Sequence, residues 1–114
     1  MDDPIGQKCT VNTVEILGSK WNRLIIWSLR DGALRFTELK KRMDDVNSKT
    51  IAYHLKALER CHIISRRVFP ETPPRVEYAL TDHGKSMIPI FEAMIAWSEA
   101  YAAAEAERAQ RDKR

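Results

Sequence analysis

Apolar residues recur every three to four positions along most of this chain and alternate only once, a pattern that predicts a mainly helical protein with one β-hairpin. A short helix is expected over 10–17, with Val11, Val14 and Leu17 in phase and Gly18 as its stop. A second runs over 20–30, with Trp21, Leu24, Ile25, Ser28 and Leu29 on one face and Gly32 ending it. Phe36 leads into a third, over 37–43, with Thr37 as its N-cap. After a turn over 44–47, Ser48 is the expected cap of a fourth helix reaching Arg60, whose core face is Ile51, Leu55 and Leu58.

Residues 63–69 and 75–80 are rich in β-branched and aromatic side chains and read as antiparallel strands. Pro70, Pro73 and Pro74 stiffen the loop between them, since proline cannot continue a ladder. Thr81 caps a last helix, with Asp82 in its first turn and a start weakened by Gly84 and Pro89. From Met87 to Tyr101 its apolar stripe is too wide for one neighbour, which predicts a second covering surface, most simply another subunit. A helix, then a second helix with a polar outer face, then a hairpin carrying arginines is the order of a winged helix-turn-helix.

Charge sharpens this reading. Residues 35–75 hold ten Lys/Arg against five Asp/Glu, a net +5, whereas 1–34 are neutral and 76–114 carry −2. The positive charge thus coincides with the segment suited to phosphates. On the fourth helix, Lys49, Thr50, Ala52, Tyr53 and Lys56 are left facing out, with His54 to one side. Lysines can meet phosphate or guanine, Thr50 and Ala52 a thymine methyl, and Tyr53 a phosphate. Ser48 adds a hydroxyl at the helix N-terminus, and Arg66, Arg67 and Arg75 flank the stiff loop, suited to the backbone or minor groove.

Other classes lack their signatures. The chain has no Gly-rich phosphate loop, no Gly-x-Ser-x-Gly and no His-Glu-x-x-His, so a binding protein is expected and not an enzyme. His54, His62 and His83 form no familiar metal spacing with Cys9 and Cys61, and no cofactor is implied. Apolar runs are too short to span a bilayer, and a single cytoplasmic domain over 1–114 is expected. A winged-helix module that binds protein is the main rival, and the basic segment argues against it.

The chain resembles the HxlR-type transcriptional regulators, which are related in fold to the MarR family. The resemblance runs from Cys9-Thr10-Val11 through Gly18-Ser19-Lys20-Trp21 and Arg35-Phe36-Thr37-Glu38-Leu39 to Pro73-Pro74-Arg75-Val76-Glu77-Tyr78, Leu80-Thr81 and Gly84. It implies a homodimer reading a palindromic operator, with dimerisation helices over 9–31 and 82–108 and the helix-turn-helix and wing over 34–80. Val11, Phe91, Met94, Trp97 and Tyr101 are the expected interface residues. Cys9 stands where some members sense oxidants or electrophiles, and Lys8 beside it favours a thiolate, making it the candidate redox sensor. A regulator that senses a small molecule without redox chemistry is the alternative. Cys61 is read either as a partner for Cys9 of another subunit or as a reduced, half-buried thiol. Thr10 and Ser19 depart from the family's proline and glycine. His62 stands where a glycine often ends the fourth helix, which implies a differently shaped helix end.

Overall fold

The computed structural model describes residues 13–113. Its elements are α1 (Thr13–Gly18), α2 (Lys20–Ser28), β1 (Leu34–Arg35), α3 (Phe36–Arg42), α4 (Ser48–Arg60), β2 (Ile64–Phe69), β3 (Arg75–Leu80), α5 (Asp82–Lys85) and α6 (Ile88–Asp112). The expected mainly helical winged helix-turn-helix is the observed architecture. The hairpin is the outer part of a three-stranded antiparallel sheet of order β1-β3-β2. Nothing in the local sequence predicts β1. It is two residues long, and only its pairing of Leu34 with Tyr78 and Arg35 with Glu77 makes it a strand.

One core joins these elements. Ile25, Ile26 and Leu29 of α2 meet Leu39 of α3, Ile51, Leu55 and Leu58 of α4, and Ile63, Ile64, Leu80, Met87 and Phe91 from the hairpin base and the start of α6. The three predicted core residues of α4 are all at most 2% exposed. Ile26 is buried as well, because α2 is covered from two directions, whereas Trp21 and Leu24 are only half-buried. Among the described residues, no helix is long and apolar enough to cross a membrane.

Helix ends differ from expectation in instructive ways. Ser19 Oγ accepts the Asn22 N–H at 3.3 Å, so the residue that replaces the family's glycine caps α2. Thr37 is not the cap of α3. The helix starts one residue earlier, and Glu38 reaches back to accept the Arg35 N–H at 2.7 Å. Likewise Asn47, not Ser48, caps α4, its Oδ1 accepting the Thr50 N–H at 2.8 Å.

The end of α4 keeps the shape a glycine would give. His62 adopts φ 60°, while the Ile63 N–H reaches back to the Leu58 carbonyl at 3.0 Å. This left-handed closure costs a β-carbon about 1 kcal/mol, and the fold accepts it. The single last helix is in fact two. Thr81 does cap the first, accepting the Gly84 N–H at 3.0 Å, but α5 stops at Lys85 and Pro89 opens a separate α6.

Thr81 also donates to the His62 carbonyl at 2.6 Å, and a β-carbon on Gly84 would lie 2.1 Å from the Ile63 carbonyl oxygen. The end of α4, the base of the hairpin and the start of α5 therefore share one tight junction.

Candidate nucleic-acid interface

α3, the turn through Val46 and α4 form the helix-turn-helix. Met43 and Val46 are buried, so the turn is held from inside, and Arg42 Nη1 donates to the Ser28 carbonyl at 2.9 Å, tying α3 to the end of α2. With Ile51, Leu55 and Leu58 facing the core, Ser48, Lys49, Ala52, Tyr53 and Lys56 are exposed and Thr50 is half-exposed. Tyr53 shows 59% of its surface. Neither Lys49 nor Lys56 has an ion pair among the described residues. The residues singled out on α4 are thus brought together on one accessible, uncompensated cationic face.

His54 lies at the edge of that face. Its Nδ1–H donates to Asn22 Oδ1 at 2.9 Å, linking α4 to α2, and its ring meets Tyr53 edge-on at 5.2 Å. Burial holds its pKa below the usual 6.5, because the charged ring would lose water there. The sequence pattern gives His54 no role. Its partner lies 32 residues away and carries no local signal.

The three wing arginines are not equivalent. Arg66 is exposed and has no ion pair among the described residues. Arg67 is exposed and leans over the Phe69 ring, 4.9 Å from its centroid. Arg75 is drawn inwards. Its Nη2 lies 3.2 Å from Glu71 Oε2, its Nε 3.6 Å from Glu77 Oε2, and its guanidinium 4.0 Å from the Phe69 centroid.

The apolar face of α6 divides. Phe91 is 4% exposed and packs edge-on against Trp27 at 6.4 Å, so it belongs to the chain's own core and not to the outer surface expected from the sequence. Beyond it Met94, Ile95, Trp97 and Tyr101 stay exposed, the last two stacked at 5.2 Å. A groove of about 370 Å³ opens between α2 and α6, walled by Leu24, Trp27, Phe91, Met94 and Ile95, with Lys20 and Arg23 at its edge. Val11 and Cys9 lie outside the described residues. Cys61 is half-buried and disulfide-bonded, so it is not the reduced thiol of the second reading; a bond to Cys9 of another subunit, the first reading, is not something a single chain tests. Among the described residues no cluster of three His, Cys, Asp or Glu could hold a metal ion.

Comparison with known proteins agrees with this architecture. The family model described as HxlR-like helix-turn-helix matches residues 16–106. An HTH-type transcriptional regulator of Methanothermobacter thermautotrophicus is 43% identical over 94 residues, covering 82% of this chain and 72% of that protein. The HTH-type transcriptional regulator YodB of Bacillus subtilis is 41% identical over 86 residues, covering 75% of this chain and 77% of that protein. The solved structure of reduced YodB superposes with a TM-score of 0.70 over 75% of this chain and 83% of that one. The redox regulator HypR in its oxidised form gives 0.72 at 32% identity, over 77% of this chain and 91% of that one. A helix-turn-helix with a wing and a cationic outer face, matched at this level along most of its length, places the chain in the HxlR-like helix-turn-helix family as a transcriptional regulator of that type.

Proposed function

We propose that this regulator acts in the cytoplasm by binding duplex DNA as a homodimer on a palindromic operator, by recognition and not catalysis. The observation that carries this reading is the outer face of α4, where Lys49 and Lys56 are uncompensated while the opposite face is sealed into the core. In this reading α4 enters the major groove. Lys49, Thr50 and Ala52 read base edges, Ser48, Tyr53 and Lys56 meet phosphates, and Arg66, Arg67 and Arg75 bring the wing to the backbone or minor groove.

The dimer rests on α6. A helix of 25 residues leaves a body held together by one core, and its exposed Met94, Ile95, Trp97 and Tyr101 would not stay in water without cost. A second copy of α6 covers them and closes the groove against α2. The segments 9–31 and 82–108 thus join the subunits, and 34–80 meets DNA.

Selection of bound duplexes from a random pool tests both claims. An inverted repeat with half-sites about one helical turn apart supports them, and recovery of no preferred sequence refutes operator reading.

A redox response through Cys9 is supported by the similarity to YodB, solved in reduced, diamide-treated and quinone-bound forms, and to the redox regulator HypR. Diamide should change the operator affinity of the native protein once its disulfide has been reduced, and not that of Cys9→Ser treated alike. Equal responses would leave a small-molecule effector without redox chemistry as the reading.

A further inference from the structure

The hairpin register sorts the wing side chains onto two faces. Arg67 pairs with Glu77 and Phe69 with Arg75, while Arg66 pairs with Tyr78 and Val68 with Val76. Side chains alternate along a strand, so Arg67, Phe69, Arg75 and Glu77 share one face. Arg66 and Val68 share the other with Ile64, which is buried in the core at the base of the wing.

Charge is paired differently on these faces. Around the tip of the first, Arg67 and Arg75 stand with Glu77 and with Glu71 from the adjoining loop, two charges against two, while Arg35, opposite Glu77 on β1, adds a third arginine at the base of the wing. Arg75 is the centre of that group. It touches the ring of Phe69 on β2, Glu77 on β3 and Glu71 in the loop, and only 29% of its side chain is exposed. Its Nε is buried without a hydrogen-bond partner, at ion-pair distance from Glu77 but beyond hydrogen-bond reach. A phosphate approaching Arg75 would have to displace two carboxylates that repel it. On the other face Arg66 is exposed and uncompensated.

We infer that Arg75 is a positioning residue, which clamps the tip of the wing from three sides, and that Arg66 carries the wing's charge to the DNA backbone. The inference rests on the DNA-binding reading above and reassigns one of its residues. The loop 70–74 has three prolines, and no ladder bond holds its two ends together beyond the Phe69–Arg75 pair. Arg75 supplies the missing restraint by joining both strands to Glu71. A wing ordered before contact loses less conformational freedom on binding.

The decisive variant is Glu77→Gln, because the two roles of Arg75 predict opposite signs. It removes a negative charge, so it would tighten binding if it released Arg75 to touch DNA. As part of a clamp its loss weakens binding. Affinity is measured by fluorescence anisotropy on the duplex selected above, over a range of salt. Arg66→Ala should reduce the slope of log affinity against log salt by about 0.9, the value of one phosphate contact. Arg75→Ala should weaken binding about tenfold at fixed salt, from loss of its ring and carboxylate contacts, with the slope unchanged. Arg75→Lys keeps the charge but not the planar fork and should not restore affinity. The Arg75→Ala/Glu77→Gln double variant should bind no more weakly than Arg75→Ala alone.

A reduced slope for Arg75→Ala, or tighter binding by Glu77→Gln, overturns the assignment. Hydrogen exchange on the free protein separates this outcome from failure of the DNA reading. Arg75→Ala should speed exchange in β2 and β3 while leaving α4 protected, and unchanged wing protection overturns the clamp. Faster wing exchange in a protein that binds no duplex would leave the clamp standing and remove the DNA reading.

Discussion

α4 and α6 are both helices with one apolar side, yet only α4 is finished within the chain. The apolar side of α4 is closed by α2, the hairpin and the rest of the core, and what it offers to solvent is lysine, tyrosine and small side chains. α6 buries Phe91 near its start and then leaves Met94, Ile95, Trp97 and Tyr101 uncovered. A helix sealed on its apolar side presents a surface for a polar partner. One left open on that side calls for an apolar partner. The two ends of the molecule therefore solicit different chemistry, and substitutions in them should fail in different ways.

The largest effect should come from breaking the sealed side. Leu55→Ala leaves a cavity beneath α4 and should lower the stability of the whole fold by about 3 kcal/mol, read as a shifted denaturation midpoint, with DNA binding lost along with the fold. Trp97→Ala should act otherwise. In the proposed dimer it removes an anchor worth about 2 kcal/mol to association, so sedimentation should shift towards monomer and operator binding should fall with it, while hydrogen exchange in the core of each subunit stays slow. If Trp97→Ala unfolded the chain, or left the oligomer intact, the contrast between the helices would be false.

The smallest effect is a pH dependence belonging to α4 alone. Burial lowers the pKa of His54, so the folded chain binds that proton less readily than the unfolded chain does. The stabilising share of His54 is fully present above its usual value of 6.5 and is lost as pH falls through it. Denaturation midpoints should decline on acidification below neutrality, and His54→Gln should flatten that part of the profile. An unaltered profile would show that the burial of His54 does not govern it.

Features with a local period are legible in the amino-acid sequence by itself. The core face of α4 follows from three residues at helical spacing, and the outer face is what remains. The cap of α4 lies one residue before its expected place because Asn47 and Ser48 are both good caps, and only the path of the preceding turn selects between them. β1 leaves no trace in the pattern because two residues have no period, and its existence depends on Tyr78 and Glu77 more than 40 positions later.

The role of Arg75 is hidden for a related reason. Sequence shows an arginine beside prolines, but its neighbours Phe69 and Glu77 follow from the register of the hairpin. Phe91 turns inward against expectation because the stripe on α6 is wide enough to hold both core and surface positions. Only the angle at which α6 leaves the body decides which is which.

That angle has a consequence measured along DNA. At the junction of Thr81, His62 and Ile63, Gly84 sits where no β-carbon fits without moving the Ile63 carbonyl. The departure of α5 and α6 is thereby geared to the end of α4. In a dimer closed through α6, a small tilt at residue 84 is amplified along a helix of 25 residues. It changes the distance and rotational phase between two α4 helices, which must match a helical repeat of about 34 Å. The absence of one methyl group at residue 84 would then help to set which operator spacings the regulator tolerates.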